Sequence, residues 1–526
     1  MSGDGGAELE IKLRLRRAAV AALLRHPALA AVKRGRMRTQ KLRSTYFDTA
    51  ALRLAGAGIG LRLRRDGRHW MQTVKGAADE QSGGGLAARP EYEWRIATSR
   101  GMPAIDTARL ATTPWRRKLL KAAREGLVPM FTTALMRTTV PLAFPDSTMA
   151  LLAVDVGEIR RASGGGRIGV CEIELELESG RVGNLFALAR ALAADIPLAL
   201  EIASKAARGY GLIAPSPRRP VRADDARLVA KAPTAGALAA ILRSCLRQIE
   251  GNADGLVTDN DPEWIHQMRI GTRRLRACLA LMRGVAPPEP LVALLAEASW
   301  LAHVLGPARD LDVLAAETLP ALAGALRTSG EAASAPALRS LRARVARLRK
   351  LARDNARGAV VSRRFVQFML ATGGFAATPG FGAVTGSDLA ARLAEPARAF
   401  AKPLLKRRQH KLLRCGEHLP TAPPAERHVA RLAAKKLRYA TEFFASLYPK
   451  KKTRAYRKAL ARLQDTLGAL NDASVAAEHA RRIAGPDSPA AATLQGWAAA
   501  QSSLRAEELA AAWHHFTRTG PFWSDD

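Results

Sequence analysis

The sequence predicts an α+β domain on a curled or closed sheet, followed by an all-α domain that contains one helical unit twice. Three observations carry this. From residue 8 to about 205, short runs alternate charged with aliphatic residues between turn signals such as Asp66-Gly67 and Gly164-Gly165-Gly166, which is the period of half-buried strands. Beyond residue 234, apolar residues recur at three and four, as in Ala237 to Ile249 and Arg339 to Arg353, which is the period of amphipathic helices. Two separated motifs of that helical part also recur at a single offset of 162 residues, and one offset serving two motifs indicates duplication.

A chain of 526 residues exceeds what one core organises, so several domains are expected. The formal charge of +35 and isoelectric point near 11.1 point to polyanionic partners. Lys and Arg outnumber Asp and Glu by 34 to 20 up to residue 215 and by 48 to 27 after it, so both parts are basic. Cys171, Cys245, Cys278 and Cys415 are scattered, which fits a reducing compartment and gives no zinc pattern. The start, Met1-Ser2-Gly3-Asp4, lacks a signal segment, and no run reads as the roughly 20 apolar residues that span a bilayer. A cytoplasmic protein without a membrane partner is the expectation. The low aromatic content, 5%, disfavours nucleic-acid modules, which stack bases on rings.

Glu8-Leu9-Glu10-Ile11-Lys12 sets Glu8, Glu10 and Lys12 on one face of a strand and the aliphatic residues on the other. Leu61-Arg62-Leu63-Arg64 repeats the arrangement with positive charge, and Glu172-Ile173-Glu174-Leu175-Glu176-Leu177 with negative charge. One such stripe alone is what the wet face of a half-exposed sheet looks like. Three, of both signs, suggest a sheet whose apolar side packs under helices while its charged side lines an aqueous cavity. Carboxylates there would supply hard oxygen ligands for magnesium or manganese, and Arg and Lys would hold a phosphate chain. Phosphoryl transfer needs chiefly positioning and charge neutralisation, so no covalent nucleophile is required.

Here the sequence resembles the CYTH family of triphosphate tunnel metalloenzymes, whose N-terminal Glu-x-Glu-x-Lys strand matches residues 8 to 12. Tyr46-Phe47-Asp48-Thr49, Leu52-Arg53-Leu54, Gly58 and Leu61 to Arg64 follow in the family's order. Trp70, Thr73, Lys75, Arg89, Glu91, Glu93, Arg137, Asp155, Gly157, the Glu172 to Glu176 stripe and Ser204-Lys205 continue it over roughly the first 210 residues. The resemblance implies an antiparallel β tunnel or barrel with flanking helices over residues 1–213. It makes Glu8, Glu10, Asp155, Glu172 and Glu174 the metal-side carboxylates for Mg²⁺ or Mn²⁺, with Glu176 sharing their parity. Lys12, Arg62, Arg64, Lys75, Arg137 and Lys205 become the phosphate-gripping catalytic residues, and Glu91 an orienting partner for one of them. The water-activating group stays unassigned.

Residues 214–233, with Pro215, Pro217 and Pro220, read as an exposed linker. After it, His266, Arg269, Arg273 and Arg276 fall on one helical face, and His428, Arg431, Lys435 and Arg438 repeat them. Leu305-Gly306, Arg309-Asp310 and Val313 recur as Leu467-Gly468, Asn471-Asp472 and Val475. Such ridges need an anionic partner or nearby carboxylates, for which Asp310, Asp312 and Asp472 are available. The pattern resembles the CHAD family of duplicated helical bundles, over residues 234–526 with repeats about 234–378 and 385–515. That resemblance implies polyphosphate binding by the eight ridge residues. Asn471 stands where the first repeat has Arg309, so the halves need not bind anions equally. The basic helix around Arg339, Arg342, Arg349 and Arg353 would widen the patch or face solvent.

The fused architecture resembles the bacterial inorganic triphosphatases. Together these resemblances imply metal-dependent hydrolysis of inorganic triphosphate in the tunnel and polyphosphate binding by the helical domain, in the cytoplasm or on polyphosphate granules. Two alternatives are an organic triphosphate enzyme, of the class IV adenylate cyclase or thiamine triphosphatase type, and a non-catalytic polyphosphate-granule binder. Trp70 could stack on a ring, although one tryptophan in a strand is more often core. Nucleic acid is disfavoured as a partner because the basic helices lack interleaved aromatics.

Overall fold

The computed structural model describes residues 7–67, 69–79, 82–97, 101–215, 218–328, 335–381, 387–419, 421–485 and 487–524. Asn471 and Asp472 fall outside the residues whose side chains are described. The chain divides into two compact units, Met1–Arg219 with Val361–Thr378, and Pro220–Val360 with Pro379–Asp526.

The first unit is an antiparallel barrel. Its strands are β1 (Ala7–Arg14), β2 (Arg38–Asp48), β3 (Gly60–Asp66), β4 (His69–Lys75), β5 (Leu86–Ile96), β6 (Val128–Ala143), β7 (Met149–Arg161) and β8 (Arg167–Ser179), with a two-residue β9 (Ala199–Leu200). They run in the order β5-β4-β3-β2-β6-β7-β8-β1, and pairing of β1 with β5 closes the ring. β1 manages this by dividing one edge, with Ala7–Ile11 on β5 and Leu13–Arg14 on β9, while Glu10–Arg14 pair with β8 on the other. Period-two patterning then fixes the faces. Ile11, Leu13, Leu61, Leu63, Val74, Ile173 and Leu175 are fully buried on the outer side, while the charged residues between them turn inward. Helix α1 (Arg116–Glu125) covers β3 to β5, packing Leu119 and Ala122 on Leu61, Leu63 and Val74.

Helices α2 (Gly183–Asp195) and α3 (Lys205–Ile213) complete the N-terminal part. Ser204 caps α3 by accepting from Ala207 N–H at 3.1 Å. Gly209 lets α3 approach β6 closely, because a Cβ there would lie 2.3 Å from the Phe131 ring. A further helix, α8 (Arg363–Ala377), also belongs to this unit. Its Gly373 is needed for the close seat on α2, since a Cβ would meet the Phe186 ring at 2.6 Å and the Gly84 carbonyl at 2.9 Å. Gln367 Nε2 donates to the Arg190 carbonyl at 2.7 Å. The sequence reading assigned this helix to the end of the first helical repeat. Its amphipathic period could not reveal which core its apolar face joins.

The second unit is helical: α4 (Thr234–Thr258), α5 (Pro262–Leu281), α6 (Pro288–Val313), α7 (Ala335–Val360), α9 (Ser387–Ala394), α10 (Ala397–Cys415), α11 (Pro424–Phe444), α12 (Lys450–Ala484), α13 (Pro489–Leu504) and α14 (Ala506–Arg518). A shift of 162 carries Pro262 onto Pro424 and Pro288 onto Lys450, the first residues of α5 and α11 and of α6 and α12. Helices α4 to α7 pack as one bundle and α10 to α14 as its counterpart.

Two sequence expectations change here. The later part of the linker is not free chain. Val221 exchanges hydrogen bonds with the Asn252 side chain at 3.0 and 2.8 Å, and Ser446 Oγ donates to the Ala226 carbonyl and accepts from Leu228 N–H. Side chains thus satisfy backbone groups of this stretch without a sheet, and they anchor it where Ala226 and Leu228 are buried. In addition, Pro288–Thr328 is long and apolar enough to cross a bilayer by length and composition, contrary to the sequence reading. Its Leu291, Leu294, Ala298, Leu301 and Leu305 are buried in the bundle.

Gly209→Ala is expected to destabilise the first unit by about 1–3 kcal/mol through overpacking against Phe131. Gly358→Ala, where a Cβ meets nothing within 4 Å, should instead stabilise its helix by about 0.5–1 kcal/mol. Thermal unfolding of the two variants, followed by circular dichroism, checks both signs.

Candidate active site

The barrel encloses a cavity of about 520 Å³. Residues of one parity line it from every side: Glu8, Glu10 and Lys12 from β1, Arg62 and Arg64 from β3, Lys75 from β4, Arg89, Glu91 and Glu93 from β5, Arg137 from β6, and Glu174 and Glu176 from β8. Lys205 enters from α3. All six phosphate-gripping candidates therefore reach one space.

Cross-strand register decides which charges meet. Lys75 lies opposite Glu91 and bonds it at 3.0 Å, and it also reaches Glu8 across the seam at 2.6 Å. Arg64 donates to Glu93 at 2.9 Å, and Thr73 Oγ1 fixes the same carboxylate at 2.8 Å. Arg62 lies 3.6 Å from Glu91 and 3.4 Å from the Tyr46 hydroxyl. Glu91 thus orients two cations, as the sequence resemblance implied for one. Lys12 sits between Glu10 at 2.8 Å and Glu174 at 3.3 Å.

Behind Glu174 lies a denser knot. Lys205 Nζ contacts Glu172 at 2.5 Å, Asp155 at 2.7 Å and Glu174 at 2.8 Å. Arg137 bridges Asp155 and Glu174, each at 2.6 Å, and Arg208 takes the outer oxygen of Glu172. Burial opposes each of these charges, and the partners outweigh it. Lys205 and Arg137 are held above their ordinary pKa values by the carboxylates, while Glu174 and Asp155 are held below theirs, chiefly by Lys205. Lys75 is raised in the same way by Glu8 and Glu91 against its burial.

Glu176 has the opposite surroundings. Burial first, and then Glu8, push its carboxyl up to about 7. It faces Glu10 in register, whose Oε1 is held by Lys12 Nζ at 2.8 Å. Four carboxylates, Glu8, Glu10, Glu174 and Glu176, thus project into the cavity from the neighbouring strands β1 and β8. Their mutual repulsion and their hard oxygen donors fit a divalent cation. Oxygens of Asp155, Glu172 and Glu174 also lie within 4.8 Å of one another. That cluster, which the sequence resemblance placed on the metal side, surrounds the Lys205 ammonium here.

Asp155 and Glu172, read as metal-side carboxylates, are 0% exposed and form with Glu174 a group whose oxygens could hold a metal ion. Glu176 lines the cavity beside Glu174. Residues 172, 174 and 176 share one parity, so only the register of β8 on β1, with Arg14 opposite Glu172 and Glu10 opposite Glu176, separates them. Arg208 was missed altogether, although its i,i+3 spacing from Lys205 on a helix was a usable signal. Trp70 packs in the core outside β3 to β5, away from the cavity lining.

In the helical unit, His266, Arg269 and Arg273 are half-exposed and Arg276 exposed, while Ile265, Met268, Thr272 and Leu275 between them are buried. His428 is exposed and Arg431, Lys435 and Arg438 half-exposed on the matching face of α11. Arg269 meets Asp310 at 3.2 Å, and Arg438 meets Glu442 at 2.8 Å. Asp312 does not pair with the ridge. It is buried and binds Arg349 at 2.5 Å and Arg353 at 3.5 Å, so these two arginines of α7 are tied to Asp312, Arg353 buried and Arg349 half-buried. Burial, followed by the charge of Arg309, lowers the pKa of His266.

Comparison with known proteins agrees with this division. Residues 6–210 match the CYTH domain family and residues 240–481 the CHAD domain family. The inorganic triphosphatase of Haemophilus influenzae is 31% identical over 175 residues, which are 32% of this chain and 45% of that protein. The match thus spans less than half of that relative's length. Among solved structures, the CHAD domain of the plant Ricinus communis is 35% identical, with a TM-score of 0.47, over 56% of this chain and 96% of its own. A putative adenylyl cyclase from Hippeastrum with a dominant triphosphatase activity is 22% identical, with a TM-score of 0.29, over 39% of this chain and 95% of its own. With the barrel accounting for one match and the duplicated bundle for the other, the chain is a member of both families, a CYTH domain followed by a CHAD domain.

Proposed function

We propose that the barrel hydrolyses inorganic triphosphate to diphosphate and phosphate with a divalent ion, Mg²⁺ or Mn²⁺, and that the helical domain binds inorganic polyphosphate through its two ridges. The observation that carries the first part is the composition of the cavity wall. Lys12, Arg62, Arg64, Lys75, Arg137 and Lys205 face Glu8, Glu10, Glu174 and Glu176 across one space. The aromatic rings in the lining are Tyr46 and Tyr210, and both are engaged with Phe131, at centroid distances of 4.4 and 5.2 Å. With so few rings among so many charges in the lining, the wall favours a substrate that is phosphate throughout.

The cations would hold the non-bridging oxygens of the chain, and their carboxylate partners keep them charged and aimed before substrate arrives. A divalent ion bound by Glu8, Glu10, Glu174 and Glu176 would supply Lewis-acid polarisation of a phosphoryl oxygen. Water adds to the terminal phosphorus, the anhydride P–O bond breaks, and diphosphate leaves with the bonding electrons. Glu91 and Glu93 position Lys75, Arg62 and Arg64 rather than touching the reacting atoms. The ridge charges, backed by buried apolar residues, give the helical domain two linear cationic surfaces that suit a phosphate polymer. With four dispersed free cysteines, the cytoplasm, including its polyphosphate granules, is the compartment we assign.

Phosphate release from inorganic triphosphate, ATP, thiamine triphosphate and long-chain polyphosphate, with and without chelator, tests the reading. Fast release from triphosphate alone, abolished by chelation, is the expected result, and comparable turnover of ATP would sink the substrate assignment. Glu10→Gln should lower kcat by at least about a hundredfold, the scale of losing one charged transition-state contact, with little effect on polyphosphate affinity. Arg276→Glu combined with Arg273→Gln should weaken polyphosphate binding several-fold and flatten its dependence on salt, leaving the kcat for triphosphate unchanged. Titration at two ionic strengths reads that outcome.

A further inference from the structure

Helix α10 carries seven Lys and Arg, one His and no Asp or Glu. Lys406, Arg407, His410, Lys411 and Arg414 are exposed and form no ion pair with any described residue. None of them belongs to the two ridges. Beside them runs a groove made of two adjoining hollows that share Pro403 and Arg407. One, of about 120 Å³, has Phe400, Val285 and Leu404 in its walls, and the other, of about 670 Å³, is bordered by Leu413. The smaller hollow has an apolar floor with Arg283, Arg392 and Glu395 also in its wall, and the larger is a face of α10 itself, where Pro403 and Leu413 lie among the cations. The crowding is costly, since burial and then the neighbouring Arg407 lower the pKa of Arg408.

Duplication supplies a reference for this surface. At the offset of 162, Lys406, His410, Leu413 and Arg414 of α10 correspond to Ser244, Gln248, Gly251 and Asn252 of α4. On α4 that face is covered by an extended segment of the same chain, residues 221–228. Asn252 binds the Val221 backbone, and a Cβ on Gly251 would touch the Val221 side chain at 2.8 Å. Ser244 and Arg247 bind the Asp224 carboxylate at 2.7 and 2.8 Å. The covering segment thus buries Ala226 and Leu228 and offers Asp224 and Asp225 to cations, Asp225 pairing with Arg457 at 2.9 Å. At the same offset residues 221–228 correspond to 383–390, of which 387–390 open α9 and the rest lie outside the described residues, and the cations of α10 are exposed among the described residues.

We infer that the groove along α10 docks an extended acidic peptide segment of a partner protein, in the manner that residues 221–228 occupy α4. Charge complementarity demands an anion, and the apolar floor demands side chains that a phosphate chain or a nucleic-acid backbone does not have. This surface is independent of the tunnel and of the ridge-bound polymer.

The test uses the full chain and a fluorescent peptide with the sequence of residues 221–228 in which both arginines are replaced by aspartate. Anisotropy should show saturable binding. The triple variant Lys406→Glu, Lys411→Glu, Arg414→Glu should bind the peptide at least about tenfold more weakly, and Arg276→Glu should bind it as the parent does. Should the triple variant melt early, the milder pair Lys411→Gln, Arg414→Gln is expected to lose about threefold. Absence of saturable binding overturns the inference, as does equal binding by the triple variant. A peptide whose Val, Ala and Leu are all changed to Ser must bind more weakly. Equal affinity for it, or loss of polyphosphate rather than peptide binding in the triple variant, would assign the groove to polyanions at large.

Discussion

Charge enclosed by a β-barrel has to be matched within the barrel, because an unpaired ion removed from water costs several kcal/mol even after relaxation. The first unit is organised around this constraint. Cations on neighbouring strands meet carboxylates by register, as with Lys75 opposite Glu91 and Lys12 opposite Glu174, while Arg62 and Arg64 of β3 reach across β4 to Glu91 and Glu93 of β5. The deepest charges required more than strands could give. Asp155 and Glu172 are fully buried and are neutralised by Lys205 and Arg208, delivered on one face of a helix. The cap at Ser204 and the glycine at 209 bring that helix close enough to do so.

The same accounting sorts the carboxylates by their company. One with two or three cations around it, such as Asp155, is depressed in pKa. Glu176, beside Glu8 and with no cation among its near ion pairs, is pushed up toward neutrality. Catalytic sites in general combine groups displaced in opposite directions. Here one strand, β8, supplies both kinds at alternate positions, with the transition falling between Glu172 and Glu176.

Much of this was legible in the sequence because it rests on period and parity. The alternation of Glu8 to Lys12 and of Leu61 to Arg64 gave both the inward face and the apolar exterior, and the duplicated helices were visible from a single offset. What stayed hidden depends on register and tertiary company. Parity treats Glu172, Glu174 and Glu176 alike, and only the stagger of β8 against β1 tells them apart. Hydrophobic period identifies a helix at Arg363–Ala377 without saying whose core it completes. The Pro-rich stretch after residue 214 looked solvated because its backbone partners, Asn252 and Ser446, lie 31 and about 220 residues further along. Asp312 was available to the ridge by charge alone, but burial ties it to Arg349 and Arg353.

The return of residues 361–378 to the first unit makes that domain discontinuous along the chain. On the ribosome, where N-terminal domains generally fold as they emerge, this unit, as distinct from its barrel, cannot be finished in order of synthesis. Its strands and α2 appear early, but the helix that covers Phe186 follows only after residues 220–360, a whole helical bundle, have been made. Until then the apolar side of α2 is a surface that a nascent chain must keep from aggregating. Cutting the gene at the apparent boundary near residue 214 would fix the protein in that half-built condition, so the natural unit of expression is the entire chain rather than the barrel alone.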